Sequence, residues 1–300
     1  MPDKIPVSAE DWFKIGLNYD REGASLEKVT AAYEKAVGLK PDFVEAINNL
    51  AFVYLRQENY TSAVELFTRV TEVEPRNPVA YNNLGFAYEK EGLLGAAKQV
   101  YWRTLSVDPV NLEATLNLGF LAERAGDYLE AEMRFKRAIE IDKGSVEGHF
   151  CLAAVYDQMD LFEEAEAEYL KAIELSPDHT KARFALGYLY ASLGNLDKAI
   201  KHLGRVVELE PDNAKALNNL GSVWEEKKDY EKAISCYRRT VELDPLHEEA
   251  HANLARLFYR ENQKKPDTGW KEELKQRLHL VLSVNPKNRT ARELLEKLSP

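Results

Sequence analysis

Apolar and small residues recur along this chain at spacings of three and four, and the whole grouping returns every 34 residues. A leucine followed by glycine or alanine marks each return: Leu50-Ala51, Leu84-Gly85, Leu118-Gly119, Leu152-Ala153, Leu186-Gly187, Leu220-Gly221 and Leu254-Ala255. Four residues after the leucine stands a large ring (Tyr54, Tyr88, Tyr156, Tyr190, Trp224, Phe258), with Ala122 breaking the series. A polar or glycine-bearing turn follows. Beyond it an alanine recurs at 63, 97, 131, 165, 199 and 233, and four residues later comes a bulky side chain: Phe67, Tyr101, Phe135, Tyr169, Leu203 or Tyr237. Spacings of three and four are helical, and the intervening turn residues divide each unit into two helices. Small residues on each helix let the pair approach closely, and rings fill the space above them. Proline at 41, 75, 109, 177, 211 and 245, replaced by Lys143 at one beat, stops each second helix and sets the turn into the next unit. A lone hairpin cannot bury its apolar face, so the hairpins are expected to stack.

This pattern resembles the tetratricopeptide repeat family. The resemblance implies an all-α, right-handed superhelical solenoid of antiparallel helix pairs. It predicts a leader over residues 1–8 and an array over 9–288, with units starting near 9, 44, 78, 112, 146, 180, 214 and 248. The first unit, carried by Trp12, Ile15, Gly16 and Tyr19, is slightly irregular, and the eighth has an insertion at about 260–270. An amphipathic helix over 289–300 is expected to cap the last apolar face, as solenoids require.

Binding in such an array belongs to the face that packing leaves over. With the leucine as position 7 of its unit, positions 4, 7, 8 and 11 turn into the hairpin and positions 2, 6, 9 and 13 turn away. In this family the first helices line the concave surface, so that outer stripe is the expected groove. Three successive units carry the same residue types there, Asn49-Phe52-Arg56, Asn83-Phe86-Lys90 and Asn117-Phe120-Arg124. The first offers a weaker version in Lys14-Leu17-Arg21. Cys151-Ala154-Gln158 and Ala185-Tyr188-Ser192 lose it, and asparagine returns as Asn219 and Asn253.

Carboxamides spaced one per unit can pair with the main chain of an extended segment. The row is similar to the asparagine ladder of O-linked N-acetylglucosamine transferases. The rings add apolar contact, and the cations favour an acidic guest. Packing readings stand beside these: cations suit helix C-termini without any ligand, the phenylalanines could pack between first helices, and the asparagines could bond from unit to unit. The Lys/Asn carboxylate clamp of co-chaperone members is not reproduced, since position 5 is Asn48, Asn82, Leu116, Phe150, Phe184 or Asn218.

Composition narrows the function classes. Fifty acidic against 40 basic residues give a net charge of −10, which disfavours nucleic acid as a partner. No apolar run approaches 18 residues, and the start MPDKIPVSAEDWF has no signal-like core, so a cytoplasmic setting without membrane insertion is expected. Residues 247–251 read His-Glu-Glu-Ala-His, a zinc-type string. Its second histidine falls at an inward position and its first in a turn, with no third ligand evident. Acidic runs such as Glu163-Glu164-Glu166-Glu168 are expected to be solvated, Cys151 half-buried, and Lys264-Lys265 too short a basic run to argue for RNA or lipid. The repeats occupy nearly the whole chain, so no enzyme activity and no cofactor are expected. The expected role is a scaffold or adaptor binding peptide-like segments of other proteins. The alternatives are self-association through the last helix, or a regulatory repeat subunit of an enzyme supplied by another chain.

Overall fold

The computed structural model describes residues 8–263 and 269–298. Among these there are seventeen α-helices and no strand. The first eight, α1 to α8, span Ala9–Arg21, Leu26–Leu39, Val44–Arg56, Tyr60–Val73, Pro78–Glu91, Leu94–Val107, Leu112–Arg124 and Tyr128–Ile141. Then come α9 (Val146–Gln158), α10 (Phe162–Leu175), α11 (Thr180–Ser192), α12 (Leu196–Leu209), α13 (Ala214–Glu226), α14 (Tyr230–Leu243), α15 (Glu248–Asn262), α16 (Gly269–Val284) and α17 (Arg289–Leu298). First helices of repeats begin at 44, 78, 112, 146, 180, 214 and 248, an unbroken step of 34. The chain is an all-α helical-repeat solenoid. It divides into two compact units, residues 1–148 and 149–300. Residues 1–7, including most of the expected leader, and Lys264-Lys265 of the expected insertion lie outside the described residues.

Local chemistry explains each turn. Between a second helix and the next first helix, the backbone N–H of the residue two past the proline position donates to the carbonyl of the residue before it. Examples are Asn77 to Glu74, Asn111 to Asp108, Asn213 to Glu210 and His247 to Asp244. Proline presets φ for the second position of such a turn. The fourth residue then caps the following helix: the side chains of Asn77, Asn111, His179, Asn213 and His247 accept from N–H groups of its first turn. At the beat where lysine replaces proline the turn persists, Ser145 N–H donating to Asp142 O, with Gly144 N–H held by Asp142 Oδ1 at 2.9 Å. Within a repeat, the first helix ends on a residue of positive φ. In the first seven repeats it is glycine at 23, 92, 126 and 194, but Glu58, Asp160 and Lys228 in the others.

Packing within a hairpin runs through the small position 8. A Cβ added to Gly119 would lie 2.6 Å from Phe135 Cε1, and one added to Gly187 would lie 2.8 Å from Leu203 Cγ, so ring or leucine already fills the space. Packing between hairpins continues the same core. Ala63 and Phe67 of α4 share a cluster with Leu84 and Ala87 of α5, and Ala97 and Tyr101 of α6 share one with Leu118 and Leu121 of α7. In the second unit, Ala233 and Tyr237 of α14 pack on Ala250, Leu254 and Leu257 of α15. In α17, Ala291, Leu294 and Leu298 are buried in one cluster with Ala252 and Ala255 of α15 and Leu274 and Leu278 of α16.

Candidate functional site

In the first unit, α3, α5 and α7 present the three expected rows at one register. Phe52 is 39% exposed and Phe86 40%, while Phe120 is half-buried. Two of these rings are held from beneath by inner rings of their own repeat. Phe52 meets Phe67 edge-on at 5.2 Å between centroids, and Phe120 meets Phe135 at 5.4 Å. The ammonium of Lys90 sits 5.1 Å above the Phe86 ring.

The amides are less free than a groove reading expects. All of Asn49, Asn83, Asn117, Asn219 and Asn253 are half-buried. Asn49 Nδ2 donates to the Tyr33 hydroxyl of α2 at 3.4 Å, and Asn83 Nδ2 donates to Asn48 Oδ1 at 3.0 Å, so both tie one repeat to the one before. Each keeps its own carbonyl oxygen as an acceptor. Asn253 Oδ1 accepts from Arg256 Nη2 at 2.9 Å.

Two of the cations are also engaged. Arg56 pairs with Asp20 of α1, and Arg124 reaches Glu89 of α5 at 3.4 Å. Glu89 also accepts from the Tyr101 hydroxyl at 2.7 Å, and burial, reinforced by this carboxylate, pushes that phenol well above its ordinary pKa. The second unit repeats the device: Glu225 accepts from Tyr237 at 3.0 Å and from Arg256 at 2.8 Å. The legible signal was an acid at position 12 followed by a cation on the next first helix. Lys90 is the cation of the three rows that makes no ion pair among the described residues.

Other sequence expectations resolve as follows. Tyr188 stands on α11 at 58% exposure. Cys151 is buried rather than half-buried. Glu166 and Glu168 are not merely solvated: Glu166 accepts from the Tyr190 hydroxyl at 2.6 Å and from Lys198 at 3.0 Å, and Glu168 pairs with buried His149. His247 caps α15 through Nδ1 at 3.3 Å from Ala250 N. The other histidine of that string, His251, is half-buried and bonds the Pro245 carbonyl at 3.0 Å. Sequence reasoning passed over Phe150 and Phe184 at position 5 and Lys181 and Lys215 at position 2, which together line a cavity of about 430 Å³ in the second unit. The available clue was the switch at position 2 from Glu45, Glu113 and Glu147 to lysine.

Five family models described as TPR or tetratricopeptide repeat match residues 48–103, 146–179, 168–201, 187–227 and 214–246. This chain belongs to the tetratricopeptide repeat family. No curated protein matches it in sequence. Among solved structures, this tetratricopeptide repeat protein is similar to YrrB, described as a TPR protein with an unusual peptide-binding site. That match has 26% identity, a TM-score of 0.53, and coverage of 62% of this chain and 96% of that one. A MamA structure matches at 25% identity and TM-score 0.51 over 56% of this chain and 92% of its own. The pilF protein of Pseudomonas aeruginosa shares the fold, with 20% identity, a TM-score of 0.62, and coverage of 73% and 97%. No helix among the described residues of this tetratricopeptide repeat protein is long and apolar enough to cross a membrane.

Proposed function

We propose that this protein is a non-catalytic cytoplasmic scaffold that grips extended, peptide-like segments of partner proteins along the outer face of α3, α5 and α7. Membership in the repeat family supports the coarser statement, a protein-interaction scaffold. The observation that carries the finer one is the ladder of Phe52, Phe86 and Phe120, exposed or half-exposed at one register on three successive first helices. The outer pair of these rings is held edge-on by Phe67 and Phe135. A ring fixed from beneath loses little side-chain entropy when a guest covers it. The free carbonyl oxygens of Asn49 and Asn83 offer acceptors to a guest main chain, and Lys90 offers a charge to an acidic residue. The peptide-binding description of YrrB, 26% identical, supports the same reading.

The test is affinity capture from native cell extract by wild type and by Phe86→Ala/Phe120→Ala, with a thermal melt of each. Partners should be lost by the variant while the melting temperature changes little. Unchanged capture, with or without a drop in melting temperature, returns these rings to packing. Self-assembly through α17 is the weaker reading, because the apolar face of that helix is already buried on α15 and α16.

A further inference from the structure

The second unit carries its aromatic residues and its charge at other positions of the repeat. Phe150 of α9 and Phe184 of α11, with Ala185, form the apolar wall of the cavity of about 430 Å³. That volume lies in the range of small-ligand pockets, about 300–1,000 Å³. The Phe150 ring is fixed by Tyr169 at 6.1 Å and His179 at 5.2 Å between centroids, so the wall is preformed. Two exposed lysines form the rim. Lys215 holds its ammonium 5.2 Å above the Phe184 ring, and neither Lys181 nor Lys215 meets a carboxylate at ion-pair distance among the described residues. Glu210, the carboxylate on the wall, is already engaged: the Thr180 hydroxyl and then Asn213 Nδ2, at 2.8 Å, hold its carboxyl below the usual range. In a chain of net charge −10 this rim is a local inversion. The same register elsewhere is Glu10, Glu45, Glu113, Glu147 and Glu249, with Val79 the one uncharged residue.

We infer that this cavity receives a bulky apolar side chain of a partner segment with aspartate or glutamate on either side of it. The inference rests on the reading that first-helix faces of this protein hold partner segments, and it gives the second unit its own ligand chemistry. The apolar side chain fills the space between Phe150 and Phe184, and the flanking carboxylates meet the two lysines. Tyr188, one helical turn beyond Phe184 on α11, extends the surface for the residues that follow.

The experiment is an isotope-edited NMR titration of the full chain with four synthetic peptides in a Gly/Ser background. Their centres are Asp-Leu-Asp, Asn-Leu-Asn, Asp-Ala-Asp and Lys-Leu-Lys. The Asp-Leu-Asp peptide should shift the amides of Lys181, Phe184 and Lys215. Its asparagine and alanine counterparts should bind about fivefold more weakly or worse, and the lysine peptide should leave the spectrum unchanged. Lys181→Ala/Lys215→Ala should weaken the Asp-Leu-Asp peptide about tenfold, whereas Phe86→Ala/Phe120→Ala should not alter it. Equal affinity for the aspartate and asparagine peptides overturns the inference. So does undiminished binding by the double lysine variant, or no shift with any peptide. Shifts at these amides on raising protein concentration alone would assign the pocket to a second copy of this chain and equally overturn it. Partner capture through Phe86 and Phe120 is measured separately, so loss of this pocket leaves the reading of the first unit intact.

Discussion

The two halves of this chain use one repeat to make different surfaces. On α3, α5 and α7 of residues 1–148, position 5 carries amides or leucine (Asn48, Asn82, Leu116) and position 9 the exposed or half-buried phenylalanines, while the first repeat has Phe13 and Leu17 there. In residues 149–300 the aromatics move to position 5, as Phe150 and Phe184, and position 9 becomes Ala154, Tyr188, Ser222 and Arg256. Charge is redistributed as well. The first unit places its cations at position 13 and ties Arg56 and Arg124 to carboxylates, whereas the second has Lys181 and Lys215 at position 2, which meet no carboxylate at ion-pair distance among the described residues. The hairpin core depends on positions 4, 7, 8 and 11, so positions 2, 5, 9 and 13 change without disturbing it. What separates the halves is the surface they present, not architecture.

The largest expected effect bears on how far the outer rings depend on the core. Phe135 is fully buried and supports Phe120, so Phe135→Ala should cost about 3–5 kcal/mol in chemical denaturation and also weaken partner capture. Leu203→Ala, its counterpart in α12, should cost about 2–5 kcal/mol and leave capture by the first unit unchanged. Equal loss of capture in both variants would show that the halves do not act separately.

Next in size is acid. All six histidines lie in the second unit. His202, buried on α12 against Tyr190, is held down to about pH 4, chiefly by burial and then by Arg183 and Lys201. Its unfolded-state value is near the ordinary 6.5, so between about pH 6.5 and 4 the unfolded chain binds a proton that the folded chain refuses. Stability is then lost as pH falls through that window, on the order of 1 kcal/mol from pH 7 to 5. Hydrogen exchange should show α12 opening more readily at pH 5, with no such step from histidine in the first unit. His202→Leu should flatten the dependence, and an unchanged slope would remove His202 as its source.

Two smaller effects test the packing and the turns. Gly119→Ala drives a methyl group into the Phe135 ring and should destabilise by about 1 kcal/mol net of its helix-propensity gain. Gly204→Ala, on open α12 surface, should stabilise by about 0.5–1 kcal/mol. Smallest of all, Lys228→Gly should raise stability by roughly half a kcal/mol or more, since lysine there holds φ at +67° where other repeats use glycine. Thermal melts of the three variants are sufficient, and a destabilised Lys228→Gly would mean that its side chain contributes more than its backbone costs.

Most of the fold was legible because each repeat states its rules again. Leucine at position 7, the small residue at 8 and the prolines locate the hairpins without any long-range information. The outer stripe was legible as positions but not as contacts. That Asn83 would bond Asn48, or that Arg124 would reach Glu89, depends on how adjacent first helices are offset, which no single-helix wheel contains. The Phe150–Phe184 cavity escaped because position 5 was read only for lysines of a carboxylate clamp. Its apolar character appears once the turn before α13 brings Asn213 and Lys215 beside Phe184.

The capped turns that join the repeats share one closure, with the same four-residue bond pattern from Asn77 to His247. Duplicating or excising one 34-residue block therefore splices like onto like and leaves each ring in its place within its own repeat. An insertion of any other size within a helix would swing the following ladder out of line by about 100° per residue. From α3 to α15 the array is therefore quantised in whole 34-residue steps, and departures from that length fall in its first and last repeats.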